Sequence, residues 1–353
     1  MRIAQLAPLA ERVPPKKYGG TERVIYTLTE ELVKRGHDVT LFASGDSLTS
    51  ARLRSVFARS LREARVNDPY GLNPLTLLQI GTAYASQDDF DIIHDHLPPI
   101  SFPTANLART PTVITMHGPF NAEARKLLQA LRTPHIVTIS KAQPVGAADF
   151  NHGGTIYNGL NMEHYPFGKE MGNYLLFVGR ISMEKGVHAA IDVANELDMP
   201  LLIAAKLDNV ERRYFREFIE PRLSSRVEWI GEVDEEERNK LMASARCFLH
   251  PVMWREPFGL TLIESMACGC PVVAFNKGSI PEIVKDGETG YVVEDVEEMA
   301  VAVEAIHAID RATCRAWVLE NFNGKKMADG YEALFTRLVE ERHDRQRAMG
   351  AGT

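Results

Sequence analysis

The chain has 353 residues, beyond the size at which one hydrophobic core usually suffices, so two domains are the expectation. Hydrophobic residues at 45% and charged residues at 25% describe an ordinary globular composition, and the net charge of −7 argues against a nucleic-acid partner. No run approaches the roughly 18 apolar residues of a membrane span, and residues 1–8 lack the apolar core of a signal peptide.

Short β-branched runs alternate with helical patterns along the chain. Residues 2–7, 38–43, 91–94, 112–116, 135–139 and 155–157 form a first series of strands. Residues 174–178, 201–204, 226–230, 246–250, 271–274 and 290–293 form a second. Val24, Ile25, Leu28 and Leu32 line one helix, closed by Arg35-Gly36; Val187, Ala190, Ile191, Ala194 and Leu197 line another. Such alternation predicts an α/β chain with parallel sheets, and twelve strands are too many for a (β/α)₈ barrel. Two doubly wound, Rossmann-like domains are therefore expected, over 1–165 and 166–322. The break falls where Asn158-Gly159, Pro166 and Gly168 interrupt the periodicity. Residues 323–353 read as a helix with Met327, Tyr331, Leu334, Phe335 and Leu338 on one stripe, expected to pack on the first domain and to fray over 345–353. Cys247, Cys268, Cys270 and Cys314 lack metal-ligand spacing and read as buried thiols of a reducing compartment. A cytoplasmic protein is expected.

Loops after strands are where an open α/β sheet gathers ligands. Tyr18-Gly19-Gly20-Thr21-Glu22 leads into the first helix and admits either a phosphate beside the glycines or a plain turn capped by Thr21. It lacks the G-x-G-x-x-G spacing of a dehydrogenase. Thr115-Met116-His117-Gly118 ends a strand, and His117 is placed to donate a hydrogen bond to a ligand hydroxyl, or serves structure. His94-Asp95-His96 invites a metal reading but has no partner cluster, so structural hydrogen bonds or the acceptor side account for it better. Asp88-Asp89 precedes a strand instead of following one, so no metal site is expected there. In Val178-Gly179-Arg180-Ile181-Ser182-Met183-Glu184-Lys185-Gly186, Arg180 and Lys185 are placed either to reach a diphosphate at the start of the next helix, where dipole and cations act together, or as ordinary surface cations of a solvated loop. Residues 51–65 carry five arginines and one acid, with Leu53, Phe57, Leu61 and Ala64 near helical spacing. This is either a solvated helix packed on the first sheet or a basic amphipathic surface for an anionic membrane face.

Glu256-Pro-Phe-Gly-Leu-Thr-Leu-Ile-Glu264 places two carboxylates across a turn and a helix. With a helix starting near Phe258, they stand on the order of 10–12 Å apart. Glu264 sits among Leu262, Ile263, Met266 and Ala267, so its carboxylate needs a partner. A glycosidase pair is a rival reading, but the separation is long for it.

This segment resembles the E-x₇-E motif of retaining GT-B glycosyltransferases of family 4. Val178-Gly179-Arg180 with Glu184-Lys185-Gly186 is similar to that family's diphosphate loop, and Tyr18-Gly19-Gly20 to its N-terminal glycine loop. The resemblance implies two domains facing a cleft and transfer of a sugar from a nucleotide-diphosphate donor to an acceptor hydroxyl. It implies front-face retention without metal or cofactor. Glu256 would meet the donor sugar and Glu264 the ribose. Arg180, Lys185 and the backbone amides of Phe258, Gly259 and Leu260 would hold the diphosphate. Gly19 and Gly20 would close over the phosphates, His117 would lie near the sugar, and the loop at Gly231 would hold the base. The acceptor, a glycan, a lipid or a small molecule, is left open, as is peripheral contact of 51–65 with the inner membrane face. An epimerase, a glycan phosphorylase and a non-catalytic nucleotide-sugar sensor remain as alternatives.

Overall fold

The computed structural model describes residues 1–17, 19–66, 74–144 and 149–350. The chain divides into two compact units. One comprises Met1–Pro15, Gly19–Leu160 and Gly324–Thr353, and the other Lys16–Tyr18 and Asn161–Asn323. Of the glycine loop expected to bind phosphate, Tyr18 lies outside the described residues.

In the first unit the elements run β1 (Arg2–Leu6), α1 (Gly20–Lys34), β2 (Asp38–Phe42), β3 (Arg52–Arg54), α2 (Pro74–Ala85), β4 (Ile92–Asp95), α3 (Phe102–Ala105), β5 (Thr112–Met116), α4 (Ala122–Ala130), β6 (His135–Thr138) and β7 (His152–Thr155). They build a parallel seven-stranded sheet in the order β3-β2-β1-β4-β5-β6-β7. Both faces are covered, so neighbouring residues serve opposite sides: Leu41 joins the cluster with Ile25, while Phe42 joins Ile80 and Phe90.

The second unit runs β8 (Leu175–Arg180), α5 (Val187–Glu196), β9 (Leu201–Lys206), α6 (Arg212–Tyr214), β10 (Val227–Gly231), α7 (Glu235–Ser244), β11 (Cys247–His250), α8 (Leu260–Ala267), β12 (Val272–Phe275), α9 (Ile280–Ile283), β13 (Gly290–Val293), α10 (Val296–Ala305) and α11 (Arg311–Asn321). Its parallel sheet has the order β10-β9-β8-β11-β12-β13. In each sheet the winding reverses once, between β1 and β4 and between β8 and β11. The crevice outside the carboxyl ends of such strands is where α/β sheets take ligands.

The final helix, α12 (Gly324–Gly350), belongs to the first unit. Its stripe of Met327, Tyr331, Leu334, Phe335 and Leu338 is buried. Arg35 just past α1 bridges to Glu332 at 2.6 Å and to Asp329 at 2.7 Å on α12. Helix continues through Gly350, so 345–350 are not frayed; residues 351–353 lie outside the described ones.

Three further expectations are corrected. Residues 51–65 form no amphipathic helix. Arg52–Arg54 is an edge strand on β2, and the backbone beyond it bonds elsewhere, Gly45 N to Phe57 O and Leu61 N to Leu9 O. Its arginines enter local pairs, Arg54 with Asp89 and Arg62 with Glu11. The last strand of the first sheet is His152–Thr155, a few residues before the β-branched 155–157. Thr21 is not a helix cap, because α1 begins at Gly20 with Gly19 in the cap position.

Two arginines of α11 tie the start of the second unit to its body. Arg311, buried, donates to the carbonyls of Gly168 (2.6 Å), Ala245 (2.9 Å) and Ala243 (2.8 Å). Arg315 donates to those of Tyr165, Ala267 and Glu163. Charge-assisted bonds of this kind are each worth about 1.5–3 kcal/mol. Arg311→Ala should therefore lower the unfolding free energy of this unit by about 3 kcal/mol or more in urea titrations. An unchanged midpoint would mean that water replaces the guanidinium at no cost.

Candidate active site

The carboxyl ends of β8 and β11 are brought together by one backbone bond, Met253 N to Glu184 O at 2.8 Å. The turn after β8 runs through Met183–Lys185 and ends at Gly186, whose φ is +71°. A Cβ on Gly186 would lie 1.9 Å from the carbonyl oxygen of Pro251, so only glycine permits this approach. The result is that Lys185 Nζ sits 2.6 Å from Glu256 Oε2. Trp254 Nε1 donates to the same oxygen at 3.1 Å, and the Lys185 ammonium stands 5.0 Å from the Trp254 ring centroid. His250, at the end of β11, places Nε2 3.7 Å from Glu256 Oε2, an electrostatic contact too long for a hydrogen bond. Glu256 is buried, and burial pushes its carboxyl up. Lys185 first, then His250, more than offset this and hold it at about 2.

The Glu256 backbone is gripped from behind. Ser279 N bonds to Glu256 O, Ser279 Oγ bonds to Phe258 O, and Gly278 lies so close that a Cβ there would meet Glu256 O at 2.3 Å. The helix begins at Leu260, not near Phe258, with Gly259 (φ +86°) in the cap position and no side-chain cap. Leu262 N bonds to Gly259 O at 3.0 Å, and no cap side chain competes with a ligand for the amides before it. This start places Glu264 about one turn into α8. Glu264 is 2% exposed and already has a protein partner, Arg238 Nη2 of α7 at 2.8 Å. A ribose would therefore share Glu264 with Arg238.

Arg180, half-buried at the end of β8, pairs with Glu184 at 2.5 Å, while its Nε has no partner among the described residues. Gly231 ends β10 at an irregularity in the β9–β10 register, with φ +82° and open space where a Cβ would stand.

Gly19, Gly20 and His117 belong to the first unit. A Cβ on Gly19 would meet Pro15 Cβ at 2.7 Å, which makes a glycine necessary there. His117, just beyond β5, is half-buried, and its Nε2 lies 2.8 Å from Nδ1 of His96. Burial pushes His117 down to about 4, so the ring is neutral at ordinary pH. His94, Asp95 and His96 form a buried strand end, not an open loop. Asp95 accepts from Tyr84 Oη and from Leu97 N, each at 2.7 Å. Among the described residues no group of three or more His, Cys, Asp or Glu is placed to hold a metal ion. An open groove of about 580 Å³ lined by Arg132, His135 and Arg345 lies by the amino end of β6, away from these strand ends.

His250, Trp254, Arg238 and Ser279 had escaped the sequence reading. Trp254 was within reach of it, standing two residues before Glu256. Arg238 sits in a run of charges that reads as a solvated helix face.

Two parallel doubly wound sheets in one chain give the GT-B glycosyltransferase fold, shared with the solved structures below. Residues 18–162 match the family described as "Glycosyltransferase Family 4", and residues 164–315 match "Glycosyl transferases group 1". A phosphatidyl-myo-inositol mannosyltransferase of Mycobacterium tuberculosis is 25% identical, with 89% of each chain covered. Among solved structures, AviGT4, a glycosyltransferase of avilamycin A biosynthesis, has a TM-score of 0.73 at 23% identity, covering 96% of this chain and 98% of its own. Anabaena Alr3699/HepE in complex with UDP and glucose has a TM-score of 0.74 at 18% identity, covering 96% and 100%. The chain is a glycosyltransferase of the family 4 type. No helix among the described residues is long and apolar enough to cross a membrane.

The depressed Glu256 fixes a pH dependence. Its folded value of about 2 lies below the ordinary 4.5, so its ionisation stabilises the fold above pH 4.5. That contribution, about 3 kcal/mol, is lost as pH falls from 4.5 towards 2. Lys185→Met leaves the carboxylate buried without its cation. Urea midpoints at pH 7 and pH 3 should therefore lie closer together in the variant than in the parent. Equal pH dependence in both would show that Lys185 does not hold the carboxylate ionised.

Proposed function

We propose that the protein transfers a sugar from a nucleotide-diphosphate donor to an acceptor hydroxyl with retention of anomeric configuration and without metal. The observation that carries this reading is the convergence of Lys185, Trp254 and His250 on one oxygen of Glu256, beside the uncapped start of α8. A diphosphate lying along that start meets the positive end of the helix dipole, with Lys185 and the guanidinium of Arg180 on the neighbouring strand end. Glu256 Oε1 takes none of the three contacts and serves as acceptor for a donor-sugar hydroxyl. Glu264, held by Arg238, takes the ribose, and the backbone at Gly231 borders the base.

In the transfer step the bond from the anomeric carbon to the leaving phosphate oxygen breaks, and a bond to the acceptor oxygen forms on the same face. The acceptor proton passes to the leaving phosphate oxygen. Negative charge grows on the diphosphate in the transition state, so cations and amides fixed there in advance lower the barrier. A single such donor is worth roughly 2.7–4 kcal/mol. The mannosyltransferase relative acts on phosphatidyl-myo-inositol, which makes a glycolipid or glycan the acceptor class to test first.

A thermal-shift panel of UDP-, GDP- and ADP-sugars identifies the donor, because a ligand that binds only the native state raises the midpoint by mass action. Arg180→Ala should leave the midpoint without ligand unchanged, since its partner Glu184 is solvent-accessible. Transfer should fall by about 100-fold or more. Near-normal turnover in that variant would remove Arg180 from the diphosphate site.

A further inference from the structure

Polar side chains run in an unbroken line from the centre of the first sheet to His117. Gln5, fully buried on β1, turns its Oε1 to Nε2 of His96 at 3.0 Å. Nδ1 of His96 meets Nε2 of His117 at 2.8 Å, with the rings stacked at 5.1 Å between centroids. Behind them His94 packs on His96 at 4.0 Å, and its Nε2 is 2.7 Å from Thr115 Oγ1. Thr115 Oγ1 in turn meets Tyr331 Oη of α12 at 2.8 Å, and the Tyr331 and Phe335 rings close on His94 at 4.5 and 5.3 Å. Resting on the transferase reading, we propose that His96 is the positioning residue of His117. It occupies the inner ring nitrogen, fixes the tautomer, and presents Nδ1 alone to the ligand.

The direction of the chain follows from its inner end. Gln5 points Oε1 at His96 and leaves Nε2 without a partner among the described residues; in this orientation the carbonyl oxygen only accepts, so His96 Nε2 carries the proton that bonds to it. In a neutral ring His96 Nδ1 is then bare and must accept, so His117 Nε2 carries the proton. His117 Nδ1 is left with a lone pair and no partner among the described residues. Its ligand contact is thus an acceptor for a hydroxyl proton, the reverse of the donor role that the sequence suggests. All three histidines are pushed down by burial, which keeps the chain neutral at pH 7. The groups facing it are Gln5, Thr115 and Tyr331, and none of them is charged there. Holding a ligand-contacting ring from behind in this way is how outer partners orient functional histidines elsewhere.

The test uses the full chain with ¹⁵N-labelled histidine and long-range ¹H–¹⁵N spectra at pH 7, His117 being assigned with His117→Ala. The parent should show His117 as a single Nε2–H tautomer. His96→Leu should abolish that preference, and His96→Asn, whose Oδ1 can stand where Nδ1 was, should restore it. Hydrolysis of UDP-glucose and GDP-mannose is measured in parallel. For the sugar nucleotide turned over by the parent, kcat/KM should fall about 10- to 100-fold in His96→Leu and recover in His96→Asn. An Nδ1–H tautomer in the parent, or a His117 spectrum unchanged in His96→Leu, overturns the proposal whatever the turnover. A parent that hydrolyses neither sugar nucleotide while the spectra behave as expected counts against the transferase reading and leaves the link intact. Thermal midpoints within a few degrees of the parent confirm that the leucine variant is folded; should it not fold, Gln5→Leu takes its place and should likewise abolish the single tautomer, an unchanged His117 spectrum there overturning the proposal.

Discussion

A carboxylate taken out of water must be either protonated or paired, and the second unit is arranged around the second solution. Glu256 keeps its charge because Lys185 reaches it, and Lys185 reaches it because Gly186 lets the turn after β8 press against Pro251. Gly278 and Ser279 grip the Glu256 backbone from the other side. The pair is thus held by two close backbone approaches, not by the attraction of its charges alone. A negative ligand entering beside it would find a cation already placed, with little rearrangement needed on binding.

The same topology recurs in the two sheets, with different chemistry at the switch points. In the second sheet the strand ends carry Arg180 and His250, beside charged partners. In the first they carry Gln5, His94 and His96, a neutral buried interior in which Gln5 Nε2 and His94 Nδ1 have no partner among the described residues. One set is charged, the other neutral.

Strands were legible wherever β-branched residues ran together, as at Val272–Phe275 and Thr112–Met116. The edge strand Arg52–Arg54 was not, because two of its three residues are cations that protect an open sheet edge and resemble a solvated helix face. His152–Thr155 contains two glycines and was displaced in the reading towards the apolar residues after it. At the site, residues inside a local motif could be named from spacing alone. Arg238 could not, since its partner Glu264 lies 26 residues away and only the packing of α7 on α8 joins them. Gln5 left a faint signal, a lone amide in an otherwise apolar buried strand.

The first unit is interrupted in sequence by Asn161–Asn323 of the second, and α12 returns to complete it. During synthesis, therefore, Tyr331 and Phe335 leave the ribosome only after the second unit has emerged, and until then His94 and the sheet behind it lack their cover. The second unit, continuous but for three residues, can fold as it appears, whereas the first must wait with an apolar face open. The nascent chain is most exposed to aggregation and chaperone capture in that interval, and a stop codon anywhere before residue 324 would make it permanent.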